Sequence, residues 1–570
     1  MATHKGISRI FKAGMLFGMA ALAILLAACG SGGNSSGSSS STSAANHVLT
    51  VSPSPNGDFT ENFNPLLANG NGNNLFGTDG LLYETLSFYN QMKANDVAPM
   101  LAQSQTLSTD GKTATFHLRS GVLWSDGQPF TSADVVFTIN YIIQHKADGV
   151  DLQGLASFVK SATAPDASTV VVTFNAPSST NMWYLAGQTY ILPQHIWQSV
   201  SAPKTNTNAN PVGTGPYTVK SFSPQVYKFA KNAKYWNASS LKVDEVDYLA
   251  FASNTSAQTL LSTSGIDWAG LFVADVNDVY VKRDPAHNQF YSPGNNTTLV
   301  MLNLAKPLFQ DINVRKAISA ALNRSEYNTV AESGEQSVAN PTGLLLPNFQ
   351  TLLDPSITQT FGAAQPDQTA TLLQASGWAK DSSGYFAKAG KELEFNLYAP
   401  KGWSDWNQMQ TLITADLKAA GIKADVVEPA TPDWYSKVGN GDFDATINYS
   451  SHGPSPYYFY NSMLNSSFSA AVGKSATSNF ERWQDPATDK LLNDFANTTD
   501  LNKQQQDLFG IEQIMVNQLP VIPILYGADW NERTTTRFTG WPSADNPYAQ
   551  PGAFDAPDVG ITIEHLTPVN

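Results

Sequence analysis

The chain has 570 residues, a formal charge of −14, and 42% hydrophobic with 11% aromatic residues. This length exceeds what one hydrophobic core supports, so we expect two or three domains. The negative charge argues against nucleic acid or an anionic lipid surface as the partner. Because Cys29 is the only cysteine, disulfides within the chain and thiolate metal sites are excluded.

The N-terminal segment has the layout of a bacterial secretory signal. Three basic residues in the first 12 precede a mostly apolar segment, residues 13–28. The sequence Leu26-Ala27-Ala28-Cys29 resembles the lipobox of bacterial lipoproteins, which implies that Cys29 becomes the first mature residue and carries acyl chains. The alternatives are a simple cleaved signal or a single transmembrane anchor, although an apolar run of about 16 residues is short for a span.

A tract dominated by serine and glycine follows the cysteine, from Gly30 to Ser43. This composition is typical of flexible coil, and such a tether reaches roughly 20 Å root-mean-square. We therefore predict a signal peptide over residues 1–28 and an acylated tether over residues 29–45. Loss of the three basic signal residues leaves a mature charge of about −17.

Strand and helix patterns alternate along the rest of the chain. "HVLTVSP", "TATFHLR" and "STVVVTF" predict strands, and Thr131 with Asp134 predicts the capped start of a helix. Later helices are predicted at "VRKAISAALNR", at "ATLLQASGW", which ends at Gly377, at "TPDWYSK", which starts at Thr431, and at "KQQQDLFGIEQIMVNQL". The segment "MQTLITADLKAAGIKADVVEP" predicts a helix with Gly421 as its C-cap, followed by a strand, and "DATINYS" predicts another strand. This order indicates a mixed α/β fold. Two extended runs, residues 297–307 and 519–527, are candidates for strands that cross between two halves.

The motifs of common catalytic sites are absent from the sequence. It has no GxSxG, HExxH or Walker phosphate loop, and its eight histidines lack ligand spacing. The "GTGPY" segment at 213–217 fits a tight turn better than a phosphate loop, and Asp126, Asp442 and Asp444 fit turn caps. We therefore predict no catalytic residue, no metal and no cofactor. A secreted carbohydrate-active enzyme remains an alternative, which a pair of carboxylates across a cleft would support.

Several segments, in this order, resemble the extracytoplasmic solute-binding proteins of the oligopeptide, dipeptide and nickel type that serve ABC importers. They include "TDGKTATFHLRSGVLWSDGQPFTSADVVFTINY", "GTGPYTVKSF", "KNAKYW", "LKAAGIKADV", "GDFDAT" and "LPVIPILY". The resemblance implies a two-lobed periplasmic-binding-protein fold with a hinge, of the large class with an extra subdomain in the N-terminal lobe. It implies an N-terminal lobe over residues 46–302, completed by 528–570, and a C-terminal lobe over 303–527.

The resemblance also implies a monomer that captures a small solute between its lobes and delivers it to membrane permease subunits. The acylated tether would hold it at the outer face of the cytoplasmic membrane. Peptide-binding members carry an aspartate in the segment that here reads "NYSSHGPSPYYFY", where His452 replaces it. Because imidazole cannot balance an ammonium group, this departure favours a neutral guest.

Two segments, "GPSPYYFY" and "DWAGLFVADV", resemble members linked to cello-oligosaccharides. The family resemblance therefore predicts an oligopeptide, whereas these two segments and the missing aspartate favour an oligosaccharide. Nickel is disfavoured because no metal-ligand cluster is present.

Tryptophans in polar contexts suit stacking on sugar faces, with core packing as the alternative. The predicted ligand-binding residues are Asn64, Tyr83, Glu84, Trp268, Phe272, Trp403, Trp406, His452 and Tyr457. Asn64, Tyr83 and Glu84 fit a loop anchor or helix start equally well.

A surface adhesion or chaperone-like protein is a further alternative to a solute-binding protein, and it would carry an exposed apolar patch.

Overall fold

A computed structural model describes residues 47–55, 57–68, 74–93, 96–346 and 348–569. The predicted signal peptide, Cys29 and the tether lie outside these residues. The described residues form two large mixed sheets, which we call sheet 1 and sheet 2, together with a smaller antiparallel sheet. The α/β class predicted from the sequence is confirmed.

Sheet 1 has seven strands that come mainly from the first half of the chain. In sheet order they are Asn288–Phe290, Glu532–Thr534, Trp268–Ala269, Val48–Ser52, Glu245–Leu249, Val226–Lys231 and Tyr217–Ser223. The central strand Val48–Ser52 is parallel to both of its neighbours, Glu245–Leu249 and Trp268–Ala269. The two connections between these parallel strands therefore leave the sheet at the same edge.

Sheet 2 has six strands from the second half of the chain. In sheet order they are Ser337–Val338, Ile522–Ala528, Gly294–Leu302, Ala445–Ser451, Glu394–Tyr398 and Lys423–Val427. The run Leu299–Leu302 is apolar and buried on both faces, as expected for a strand that is covered on both sides. Helices supply that cover, and their apolar stripes merge with the strands into one core.

The smaller sheet forms the extra subdomain, which is inserted between strands of sheet 1. Its strands, in sheet order, are Ala102–Leu107, Thr113–Leu118, Thr169–Phe174 and Val159–Asp166. Helix Ser132–Gln144 packs on it, and Thr131 with Asp134 forms the capping box at its start, as predicted. Trp124 is fully buried in this core. The remaining strands pair in small sheets of two or three strands. These sheets are Ala379–Lys380 with Phe386–Lys388 and Lys391–Glu392, Ser87–Tyr89 with Val97–Pro99, and Phe538–Thr539 with Thr567–Pro568.

Most predicted helices are present with the expected ends. The α-helices are Ser132–Gln144, Leu155–Phe158, Asn181–Gly187, Gln194–Trp197, Asn254–Leu261, Val276–Val279, Pro307–Gln310, Ile312–Ala321, Arg324–Glu326, Pro366–Ala375, Ser404–Ala420, Thr431–Asn440, Pro456–Leu464, Pro486–Ala496, Leu501–Gln518 and Asp558–His565. Gly377 and Gly421 have positive φ just after helix ends, as the sequence predicts. The helix at Thr431 differs slightly, because Ala430 rather than Thr431 is its N-cap. Within the described ranges, no helix has the length and apolar character needed to cross a membrane.

Two short segments connect sheet 1 with sheet 2 in the described chain: residues 291–293 and residues 529–531. We call them the crossing segments. They run side by side, because the backbone N–H of Tyr291 donates to the Asn531 carbonyl at 3.1 Å and that of Asp529 to the Pro293 carbonyl at 2.8 Å. The strand pairing of residues 294–302 places that segment in sheet 2, so the first crossing comes before Gly294, rather than at the predicted boundary after Leu302. The second crossing begins directly after Ala528.

The "GTGPY" segment is a point of close backbone approach. The Gly215 N–H donates to the Leu82 carbonyl at 2.9 Å. A Cβ at Gly213 would lie 1.8 Å from that carbonyl oxygen, and one at Gly215 would lie 2.4 Å from the Leu81 oxygen. The segment therefore needs glycine for space at both positions.

Gly213→Ala tests this packing requirement. The added methyl group meets backbone atoms that cannot rotate away, so we expect a loss of about 1–3 kcal/mol or more and a clearly lower melting temperature. Gly362→Ala is the matched control, because nothing lies within 4 Å of its Cβ position. Equal melting temperatures for the two variants would contradict the assignment.

Candidate functional site

A cavity of about 470 Å³ lies between sheet 1 and sheet 2, beside the crossing segments. Its size is within the usual range for small-molecule sites. The sheet 1 side and the crossing segments contribute Ser54, Pro55, Pro65, Leu67, Ala68, Phe76, Asp79, Tyr190, Gly270, Leu271, Phe272, Trp530, Phe554, Asp555 and Ala556, with Leu152, Gln153, Gln188 and Asn254 nearby. The sheet 2 side contributes Asn295, Asn296, Thr298, Gln336, Trp403, Asp405, Trp406, Tyr435, Tyr449, Ser451, Thr477, Gly527 and Ala528.

The cavity walls follow from the direction of the strands. In sheet 1 the parallel strands Val48–Ser52 and Trp268–Ala269 run into Ser54 and into Gly270–Phe272, which line the cavity. In sheet 2 the parallel strands Glu394–Tyr398 and Ala445–Ser451 also end toward it. Both walls are therefore built at the carboxyl ends of parallel strands, where ligands bind in open α/β sheets.

Aromatic rings cover both walls. On the sheet 1 side, Phe272 packs edge-on against Trp530 with ring centroids 5.4 Å apart. On the sheet 2 side, the Trp403 and Trp406 rings are 4.9 Å apart, and Trp406 lies 6.2 Å from Tyr449. Tyr449 has 41% of its surface exposed, although it lies on a central strand. These rings give the cavity two apolar faces separated by polar groups.

Three carboxyl groups line the cavity: those of Asp79, Asp405 and Asp555. No Lys, Arg or His is among the described lining residues. Burial raises the pKa of Asp79 to about 8, and the amide of Asn74 opposes this shift by donating to Asp79 at 3.1 Å. Burial raises the pKa of Asp405 to about 6.

The third carboxyl group, Asp555, is close to Asp529 of the second crossing segment. Burial, followed by the charge of Asp529, raises the pKa of Asp555 well above its usual range. The neighbouring Gly552 has no room for a side chain, because its Cβ position lies 2.2 Å from Asp529 Oδ1 and 2.5 Å from Asp555 Oδ2. The raised pKa therefore favours the neutral acid at the junction between the two sheets.

Three of the nine predicted ligand residues line this cavity. They are Phe272 from the loop after strand Trp268–Ala269, and Trp403 and Trp406 from the start of helix Ser404–Ala420. The Nε1 donor of Trp403 is buried and has no hydrogen-bond partner among the described residues. These three rings are the predicted residues that the structure brings together.

Trp268, His452 and Tyr457 do not line the cavity. Trp268 is fully buried, donates from Nε1 to the Pro551 carbonyl at 3.0 Å and packs against Trp541. The Tyr457 ring is buried against Phe495, with centroids 4.9 Å apart. Both side chains therefore serve packing in the structure, which was the alternative considered for the tryptophans.

His452 lies behind the wall of the cavity. Its Nε2 is 3.0 Å from the Gly343 carbonyl, and its ring stacks on Phe459 at 4.5 Å. Because a carbonyl only accepts, Nε2 carries the proton in this contact. Burial lowers the pKa of His452 to about 4, so the imidazole is neutral near pH 7. Its replacement of an aspartate therefore says little about the charge of the guest.

Asn64, Tyr83 and Glu84 also lie outside the cavity lining. The Asn64 amide donates to the carbonyls of Pro203 and Asn206 at 2.7 and 2.8 Å, as a loop anchor does. The Tyr83 hydroxyl accepts from the Asn208 amide at 2.8 Å.

Glu84 joins the extra subdomain to sheet 1. It accepts a 2.9 Å hydrogen bond from Trp236 Nε1, and the guanidinium of Arg119 lies 3.8 Å above that indole ring. Burial raises the pKa of Glu84 to about 8. This group holds two parts of the fold together, at a distance from the cavity lining.

The lining carboxyl groups and part of the aromatic lining were not predicted from the sequence. Asp405 stands between the two tryptophans of "GWSDWNQ", and Asp555 follows a phenylalanine in "GAFDAPD". An acidic residue flanked by large aromatics was the available signal. Trp530 and Tyr449 gave no local signal, because the strand pairing sets their positions. Among the described residues, no group of three or more His, Cys, Asp or Glu side chains is arranged to hold a metal ion.

Comparison with protein families gives one match that covers most of the chain. The family described as bacterial extracellular solute-binding proteins, family 5 Middle, matches residues 96–471. Among similar proteins is the di/tripeptide-binding protein 1 of Pseudomonas aeruginosa, which is 25% identical over 464 residues, or 75% of this chain and 80% of that protein.

Two solved structures share the fold. One is the mannohexaose-bound periplasmic oligopeptide-binding protein of Thermotoga maritima, with a TM-score of 0.84 and 24% identity, covering 92% of this chain and 99% of that chain. The other is the oligopeptide-binding protein AppA of Bacillus subtilis in complex with a nonapeptide, with a TM-score of 0.77 and 20% identity, covering the same shares. The predicted two-lobed fold is confirmed.

Trp268→Ala and Trp403→Ala form a matched test of the site. We expect Trp268→Ala to cost about 3–5 kcal/mol of stability and to leave ligand affinity within about threefold, because its ring fills a core. We expect Trp403→Ala to weaken binding about tenfold or more, since the residue lines the cavity and its ring supplies apolar contact surface.

Melting temperature and isothermal titration separate the two effects. The titrant is whichever di- to pentapeptide or oligosaccharide stabilises the parent protein most. Unchanged affinity in Trp403→Ala, or lost affinity in a folded Trp268→Ala, would contradict the assignment of the cavity as the binding site.

Proposed function

The chain belongs to the bacterial extracellular solute-binding proteins, family 5, and on this premise we propose that it is the substrate-binding subunit of an ABC importer. It captures an oligopeptide or a similar small solute between two lobes and delivers it to the membrane permease. One lobe contains sheet 1 and the extra subdomain, over about residues 47–293 and 529–569. The other contains sheet 2, over about residues 294–528.

The observation that carries this proposal is the position of the cavity. It is lined from both sheets and lies beside the two crossing segments that join them. A solute that contacts both walls stabilises the closed arrangement by its additional contacts, relative to an open one in which it touches one wall. Closure then creates a surface that a permease distinguishes from the empty protein.

A peptide is the first candidate for the solute. The di/tripeptide-binding relative and the nonapeptide complex are both peptide binders by description. The lining carboxyl group of Asp405, with a pKa of about 6, offers a carboxylate to an ammonium group of a peptide near pH 7. The proposal involves no chemical step and no cofactor, and the protein acts as a monomer.

An oligosaccharide is the second candidate, and one feature favours it. The cavity combines aromatic rings with neutral amides such as Asn296, Gln153 and Gln336, which suit sugar faces and hydroxyl groups. The mannohexaose complex indicates that this fold accommodates such a ligand in another protein.

Filling the cavity tests the proposal. Ser451 lines the cavity at the exposed end of a sheet 2 strand, so Ser451→Trp places a large ring where the solute would lie. A solute at 100 times its Kd adds about 2.7 kcal/mol of stability, which raises the melting temperature of the parent protein. We expect Ser451→Trp to abolish this shift.

The control is Ser382→Trp, in an exposed turn away from the cavity, which we expect to respond like the parent. The panel contains di- to pentapeptides and cello-, xylo- and manno-oligosaccharides. Absence of any shift in the parent protein, or an undiminished shift in Ser451→Trp, would contradict the proposal.

The proposal places the protein outside the cytoplasmic membrane, held there by acyl chains on Cys29. We expect the parent protein to incorporate a labelled fatty acid and Cys29→Ala to lose this label, because the acyl chains are attached at Cys29. Ser40→Ala in the tether is the control and should keep the label. Absence of the label from the parent protein, or an equal label on Cys29→Ala, would exclude acylation of Cys29.

A further inference from the structure

The sheet 2 wall of the cavity places one carboxyl group among aromatic rings. Asp405 lies in the first turn of helix Ser404–Ala420, between Trp403 and Trp406, and Tyr449 completes the aromatic group. All four residues line the cavity. We call this set the aromatic-acid wall.

The unpaired polar atoms around this wall are mainly acceptors. Gln336 lines the cavity, is 8% exposed, and its Oε1 has no hydrogen-bond partner among the described residues. Its amide nitrogen donates to Glu332 at 2.9 Å, and Glu332 Oε1 is likewise unpaired. Asn296 Oδ1 is another unpaired acceptor in the lining, whereas Trp403 Nε1 is an unpaired donor. A guest with several donors satisfies this arrangement.

Charge points to the same kind of guest. Glu332 is fully buried and interacts electrostatically with Asp405, so two acidic groups meet behind this wall. The opposite wall adds Asp79 and Asp555, and the described lining contains no basic side chain. Burial favours the neutral acid in Asp79 and Asp555, whereas Asp405, with a pKa of about 6, is mainly ionised near pH 7, so a cation is attracted to the sheet 2 wall.

The shape of the wall distinguishes a cationic side chain from a bare ammonium ion. The Trp403 and Trp406 rings, with centroids 4.9 Å apart, form one apolar surface in the same lining as the carboxyl group, and this surface matches the aliphatic stem of a lysine or arginine. The ring faces and the carboxyl group together attract the charged end.

From these contacts we infer that the solute carries a positively charged side chain, a primary ammonium or a guanidinium, whose charged end binds Asp405 and whose stem lies against the rings of Trp403 and Trp406. This inference rests on the proposed function, since it assigns the solute class of the same cavity. A cationic solute replaces the neutral guest predicted from the His452 substitution.

Isothermal titration with peptide pairs tests the inference. In peptides of two to five residues, lysine is exchanged for norleucine and arginine for citrulline, which keep the length of the side chain and remove its charge. We expect the charged member of a pair to bind at least tenfold more tightly to the parent protein. Equal or tighter binding of the neutral members would overturn the inference and leave the proposed function standing.

Asp405→Asn identifies the residue responsible. We expect this nearly isosteric variant to reduce the advantage of the charged peptide to threefold or less. Asp425→Asn removes an exposed carboxylate from an edge strand of sheet 2 and should keep the full advantage. Melting temperatures of the unliganded variants establish whether both are folded. If Asp405→Asn does not fold, the peptide pairs titrated into the parent protein still test the inference.

Two further titrations distinguish a cationic peptide from the other classes of solute. Binding of free arginine or spermidine, but of no peptide, would keep the cation site and exclude a peptide. Binding of neutral manno-oligosaccharides with no response to cationic peptides would overturn the inference. If none of these solutes binds, the proposed function fails and the inference fails with it.

Discussion

The geometry of the molecule depends on the pairing of two crossing segments. In the described chain, residues 291–293 and 529–531 are the connections between sheet 1 and sheet 2, and backbone hydrogen bonds hold them side by side. The residues next to them, including Asn296, Gly527 and Trp530, line the cavity. A rotation about this pair therefore changes the distance between the walls without breaking either core, which is the requirement for hinge closure.

Strand direction explains why the walls carry binding groups rather than core residues. The parallel strands of both sheets end at the cavity, so their loops and the first turn of helix Ser404–Ala420 point into it. Loops at such edges tolerate polar and aromatic side chains that a core would exclude. Asp405, with its raised pKa, and the unpaired Gln336 oxygen illustrate this, since their burial costs free energy that a guest can offset.

The sequence predicted the local elements well and their burial less well. Periodicity and caps located helix Ser132–Gln144 and strand Ala445–Ser451, because these signals depend on neighbouring residues. Trp268 shows the limit: its polar context suggested exposure, but its ring is buried against Trp541 and donates to the Pro551 carbonyl, both distant in sequence. His452 is likewise buried by the Gly343 carbonyl from a distant segment. Trp403 and Trp406 were predicted from the same kind of polar context and line the cavity, whereas Asp405 between them was overlooked.

The central claim is that the two lobes close on a solute at the cavity. Small-angle X-ray scattering of the protein with and without its solute tests this most directly, with the Ser451→Trp variant measured alongside. The account predicts a smaller radius of gyration when the solute is added to the parent protein and no change in the variant. An identical radius for the empty and solute-saturated parent, in a protein shown by titration to be occupied, would contradict it.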